Sequence, residues 1–213
     1  MLKLAATHNR SMTYLTVYTD GDTPETLLET DDAAEITAAL KAIDVRLRTW
    51  EVVDGLATGA SQEEILAAYR DEVSRVIAEE GYTLVDVAQL HPDDSTDWPE
   101  RAAAARRKFL AEHTHDDDEV RFFVGGSGIF YLHVDGKVHA VLCEPGDLLS
   151  VPKNTTHWFD MGTSPDFTAI RFFHDDDGWV GDFTGDPIAE RIPDFDAIVA
   201  RRASLAAGGR DGR

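Results

Sequence analysis

The chain is short of several things, and each shortage narrows its function. It has one cysteine, Cys143, among 213 residues, so no internal disulfide can form and a reducing, cytoplasmic setting is expected. Cys143 closes the apolar run HAVLC, where a small core residue is a better reading than a nucleophile. No stretch approaches the roughly 20 apolar residues needed to span a bilayer, and the N-terminal segment has neither a long apolar run nor a clear small-residue cleavage site. Positive charge is scarce: 20 Lys and Arg stand against 40 Asp and Glu, a formal net charge of -20. Such a surface repels phosphate backbones and anionic membranes, so neither nucleic acid nor lipid is an expected partner. The charge also favours solubility, and a monomer is the expected state.

Apolar residues make up 43% of the chain, enough for a real core. We expect a single domain over 1–213, with an α/β part over about 1–108 packed on a barrel over about 109–190. The tail from Ala203, ending GGRDGR, is expected to be loose. In the first part, strands are expected over Met12–Thr19, Val45–Val52 and Thr83–Leu90. Helices are expected over Asp31–Ile43, from the capping-box run Ser61-Gln62-Glu63-Glu64 to Gly81, and over Trp98–Leu110. From Glu119 to about Phe173 the pattern becomes short strands with tight turns, at Asp135-Gly136, at Glu144–Asp147 and from Pro152 to Thr155. That spacing points to an antiparallel sandwich or barrel.

The chemistry concentrates in Glu112-His113-Thr114-His115-Asp116-Asp117-Asp118-Glu119-Val120-Arg121. Side chains two apart on a strand share a face, so His113 and His115 point together. Glu119 and Arg121 keep that parity if the aspartates do not shift the register. Two imidazoles and a carboxylate converging make a good transition-metal site, and His157, on a strand with Phe159 and Met161, is a fourth candidate ligand. A lone His-x-His is usually inert and the aspartates could be a solvated turn, but here both halves of a pattern occur in order. Across the Asp135-Gly136 turn, His133 should pair with Val138 and His139 with Leu132, which puts the two histidines on opposite faces. His8, His91 and His174 sit in polar contexts and read as surface residues.

The runs His-x-His-x3-Glu-x6-Gly and Gly-x5-Pro-x4-His resemble the two cupin motifs, with Arg107, Asn154 and Met161 departing from the usual glycine, glycine and asparagine. Asn tolerates the left-handed turn conformation, so the second departure is mild. The stretches KFLAEHTHDDDEVRFFVGGSGIFYLHV, LLSVPKNTTHWFDMGTSPDFTAIRFF and GWVGDFTGDPIA are similar to the acireductone dioxygenase family within that superfamily. The resemblance implies a mainly β cupin fold, a double-stranded β-helix or jelly-roll barrel with flanking helices. It also implies a metal held by His113, His115, Glu119 and His157.

The metal so implied is one Fe(II) or Ni(II) per chain, with two adjacent positions left for a bidentate enediol. The implied substrates are dioxygen and acireductone, 1,2-dihydroxy-3-keto-5-methylthiopentene. Products would be formate and 4-methylthio-2-oxobutanoate with iron, in methionine salvage, or formate, carbon monoxide and 3-methylthiopropanoate with nickel. Arg121 is the candidate for holding the anionic substrate; an ordinary ion pair with one of Asp116 to Asp118 is the alternative. Glu112 and Asp118 match positions for metal loading or support of the ligands, and either could be a solvated acid. Phe109, Phe159 and Trp179 are candidates for the wall around the methylthio tail, or else core. Another cupin dioxygenase or isomerase, or a non-catalytic binding cupin, are the competing readings.

Overall fold

The computed structural model describes residues 13–174 and 180–208. The first part of the chain forms β1 (Tyr14–Thr19), β2 (Thr26–Thr30), α1 (Ala33–Lys41), β3 (Arg46–Thr49), α2 (Gln62–Ala68), α3 (Arg70–Glu80), β4 (Leu84–Leu90) and α4 (Trp98–Leu110). Then follow β5 (His113–Thr114), β6 (Glu119–Gly126), β7 (Gly128–Val134), β8 (Lys137–Cys143), β9 (Asp147–Val151), β10 (Thr156–Asp160) and β11 (Phe167–Phe173). The chain ends in β12 (Asp182–Phe183), a 3₁₀ turn at Pro187–Glu190 and α5 (Phe195–Gly208). The strands make two antiparallel sheets, in the orders β12-β5-β10-β7-β8-β1-β2 and β3-β9-β6-β11-β4.

Strand alternation sorts the side chains into three layers. Between the sheets lie Leu15, Val17, Phe130, Leu132, Val141 and Phe159 from one side, and Phe123, Leu149, Val151 and Ala169 from the other. Ile36 and Leu40 of α1 join this inner layer. The outer face of the smaller sheet (Val120, Phe122, Ile170, Phe172) packs on Ile65 and Tyr69 and on Val73 and Val76 of α3. The outer face of the larger sheet (Tyr131, Ala140, Trp158) is covered by Ile188, Ile192 and Ile198. Cys143 is fully buried in the inner layer, the core residue expected.

The N-terminal strands expected beside the barrel are built into its sheets: β1 pairs with β8, β3 with β9 and β4 with β11. The Asp135-Gly136 hairpin forms as expected, both residues at positive φ (52° and 72°), as a type I′ turn requires. The capping box at Ser61 is present, and Gly81 ends α3 in the left-handed conformation. The helix expected between them is broken at Tyr69, whose buried ring packs on Phe122 while its hydroxyl accepts the Val53 amide at 2.9 Å. The tail is corrected in part: α5 runs through Ala203 to Gly208, docked by the Arg201–Glu29 ion pair. Asn154 adopts φ 61°, the left-handed turn inferred for it.

Two adjacent glycines separate strain from space. A Cβ on Gly126, at φ 66°, would drive into the Asp166 carbonyl, whereas one on Gly125 would meet nothing within 4 Å. Gly126→Ala is therefore expected to destabilise the metal-free protein by more than about 2 kcal/mol in urea denaturation. Gly125→Ala should cost less than about 0.5 kcal/mol. Equal losses would contradict the close approach.

Candidate metal centre and pocket

The ligand candidates sit where the chain crosses from one sheet to the other. β5 and β10 belong to the larger sheet, β6 to the smaller. His113 and His157 are direct cross-strand partners, and Glu119 is the first residue of β6, opposite Val151. His115 lies in the crossing segment. The aspartates hold that segment in place. Asp117 accepts the amides of Asp118 and His174, both at 2.8 Å, and Asp118 accepts the Lys153 amide at 2.9 Å. The Asn154 amide donates to the His115 carbonyl at 2.8 Å. Convergence thus arises from the sheet crossing rather than from one uninterrupted strand face.

Each imidazole is oriented by a nearby carbonyl. Nδ1 faces the oxygen of Ala111 in His113 (2.8 Å), of Asp117 in His115 (2.6 Å) and of Thr155 in His157 (2.7 Å). A carbonyl only accepts, so Nδ1 carries the proton and Nε2 keeps the lone pair a metal needs. The three histidines offer ligand atoms within 4.8 Å of one another. Glu119 Oε2 lies 3.0 Å from His115 Nε2 and 3.1 Å from His157 Nε2. Donors about 2.1 Å from an ion and at right angles are about 3.0 Å apart, so this donor set fits a divalent transition metal.

Burial alone would raise the Glu119 carboxyl, but the Arg121 charge and the close approach of His115 and His157 hold it well below the usual range. Burial lowers His113. It pulls on His115 too, but the neighbouring Glu119 charge favours the protonated ring and the net shift is upward.

Arg121 does not pair with Asp116, Asp117 or Asp118 in the way weighed from the sequence; its guanidinium lies 2.7 Å from Glu119 Oε1. It is 3% exposed and packs over three rings, with centroids 4.5 Å (Phe159), 5.1 Å (Phe130) and 5.9 Å (Phe109) away. Across the sheet it faces Arg171, which in turn faces Asp86. Like charges opposed on neighbouring strands repel, and Glu119 and Asp86 offset that repulsion, Asp86 accepting from Arg171 Nε at 2.8 Å.

A cavity of about 360 Å³ opens over these groups. His113, His115, Glu119, Arg121 and Arg171 line it, with Lys108 and Phe109 from α4 on one side and Val180, Gly181 and Phe183 on the other. A larger cavity, about 520 Å³, lies behind β10 against Trp158 and Tyr131 and touches none of the ligand set. Phe109 is therefore on the wall of this cavity. Phe159 takes the core alternative: it is 1% exposed and lies beneath Arg121, where its ring supports the guanidinium. Trp179 and His8 lie outside the described residues.

Glu112 is no solvated acid. It is 3% exposed, accepting from His133 Nδ1 and from Thr184 Oγ1, each at 2.6 Å. His133 and His139 have the pairings expected of them. His139, buried, shares the inward parity of Val141, and His133 faces out to Glu112. Two of the supposed surface histidines do more than face water. His91 is half-buried and bridges Asp166 and Thr168, and His174, though exposed, bonds to Asp117 at 2.5 Å.

Sequence reasoning missed Arg171, Lys108, Val180, Gly181 and Phe183. A lone arginine in the otherwise apolar strand FTAIRFF was the signal for Arg171. Gly181 and Phe183 lie in the matched run GWVGDF, where no periodicity marks them.

The model of the ARD/ARD′ family matches residues 14–181. Acireductone dioxygenase of Frankia alni is 63% identical over 196 residues, covering 92% of this chain and 95% of that protein. The Saccharopolyspora erythraea protein of the same name is 56% identical over 191 residues, covering 90% and 100%. Among solved structures, an acireductone dioxygenase from Bacillus anthracis with cadmium ion in its active centre aligns with TM-score 0.68 at 29% identity, over 81% of this chain and 99% of that one. Over a match that spans most of its length and takes in every residue of the histidine–glutamate cluster, the chain belongs to the acireductone dioxygenase family, metal-dependent dioxygenases of the cupin fold.

Proposed function

We propose that this protein cleaves acireductone with dioxygen, using one Fe(II) or Ni(II) held by His113, His115, Glu119 and His157. The observation that carries the reading is the convergence of three tautomer-defined imidazoles and a carboxylate beside a buried guanidinium. The bound ion would supply Lewis acidity, orienting the enediol and stabilising its charge.

The rest of the work falls to the chain. Arg121 is a fixed cation in a site walled by phenyl rings, where its field favours the deprotonated enediol more strongly than it would in water. Arg171 adds positive charge across the sheet. Because Glu119 and Asp86 hold the two guanidiniums before substrate arrives, little reorganisation accompanies binding. With iron, the six carbons of the substrate are divided between 4-methylthio-2-oxobutanoate and formate. With nickel they appear as 3-methylthiopropanoate, formate and carbon monoxide. Each set accounts for both atoms of dioxygen.

Three outcomes are expected. Metal-free protein reconstituted with Fe(II), mixed with acireductone under argon and then exposed to air, should consume the enediol far faster than the uncatalysed reaction and yield the oxo acid; reconstitution with Ni(II) should yield carbon monoxide. No acceleration at full metal loading would transfer the site to a different enol or to binding alone. His115→Ala should lose bound metal by elemental analysis while His139→Ala keeps it, since Leu132 separates His139 from His157 along the sheet; equal losses would undo the ligand assignment. Arg121→Ala should keep its metal and lose about 10²–10³ in kcat, with Arg121→Lys in between. A change confined to KM would remove Arg121 from the chemistry.

A further inference from the structure

Val180 and Phe183 are the two most exposed of the large apolar side chains among the described residues, at 71% and 57%. Both line the metal cavity. Exposed apolar surface is unfavourable in water, so a pair of this kind over a cavity has something to gain from a ligand that covers it.

The backbone that carries them is seated on the metal site. Phe183 pairs with His113 across β12 and β5, with ring centroids 5.5 Å apart. Gly181 lies so close to the same imidazole that a Cβ there would be 3.3 Å from His113 Cδ2. The far end is tied twice to Glu112: the Thr184 amide donates to the Glu112 carbonyl at 3.1 Å and Thr184 Oγ1 to its carboxylate at 2.6 Å. The second carboxylate oxygen accepts from His133 Nδ1, and His133 Nε2 lies 3.3 Å from Asp20. Glu112 is thus occupied as an anchor, with the outer strands of the sheet behind it.

The cavity is therefore divided. One side carries His113, His115, Glu119 and two guanidiniums, and the side of Val180 and Phe183 is apolar. An enediol with an anionic head and a thioether tail has the same division. On the strength of the function proposed above, we propose that residues 180–184 form a strap on which Val180 and Phe183 contact the substrate's apolar tail and set its preferred length, with Thr184, latched to Glu112, as the positioning residue.

The test is anaerobic equilibrium binding to Ni(II)-loaded protein of two enediols, acireductone and an analogue truncated to a bare methyl. The wild type should prefer the longer tail. Phe183→Ala should lower the ratio of the two dissociation constants about tenfold toward unity, the discrimination that a methylene or two of apolar contact supplies. Thr184→Val, which keeps shape but loses the hydroxyl, should lower it in the same direction, and Thr184→Ser should restore it. Leu27→Ala, an exposed apolar residue on β2, should leave it unchanged. A wild type that binds both equally, a Phe183→Ala ratio that does not move, or a Thr184→Val change seen in thermal stability but not in the ratio would each overturn the strap. Tail discrimination that Phe183→Ala abolishes, without oxygen uptake by the wild type, would sustain the strap and overturn the dioxygenase reading.

Discussion

The carboxylate of Glu119 is buried between the two sheets, and much of the site is arranged around that fact. An ionised carboxylate away from water costs several kcal/mol unless its charge is matched and its oxygens are satisfied. Arg121 matches it on one oxygen, and His115 and His157 reach the other. Removing Arg121 would take away the charge that matches Glu119. Arg121 is buried for the same reason, and it draws the rings of Phe109, Phe130 and Phe159 around itself. These contacts tie the Glu119 carboxylate to the central hydrophobic layer.

The same constraint explains the crossing segment. To bring histidines from one sheet against a glutamate from the other, the chain must turn sharply between His115 and Glu119. Asp116, Asp117 and Asp118 occupy the turn. Asp117 and Asp118 spend their carboxylates on backbone amides of the crossing itself, of β11's end and of the Lys153 turn. Asp117 and Asp118 thereby fix the path of the crossing, and Asp117 also pairs with His174. Glu112, on the other side of His113, is likewise engaged by protein groups.

Much of this was legible in the residues. Spacing of His113, His115, Glu119 and His157, the Asp135-Gly136 turn and the Ser61 capping box are local features, and the structure keeps each of them. Hairpin geometry even settled that His133 and His139 face opposite ways, because a two-residue turn sets the register of both strands. Less legible were elements whose existence depends on distant partners. The residues of β2 and β12 carry weak strand signals and are strands because β1 and β5 offer them edges. The helix expected from Ser61 to Glu80 is broken where Tyr69 must point its ring at Phe122, a demand made by a strand some fifty positions away. That separation cannot be seen in a helical period.

By itself the sequence determined which groups are candidates for the chemistry: donor atoms, their order along the chain and the turns that bracket them are properties of neighbouring residues. Only the tertiary structure decided what surrounds those groups. It placed Arg171 opposite Arg121, moved Phe159 beneath a guanidinium instead of beside a substrate, and laid Gly181 and Phe183 on the face of His113. The physical reason is register. Which residues face each other across a sheet, or across the gap between two sheets, is fixed by backbone hydrogen bonds between distant segments, and no local pattern carries that information.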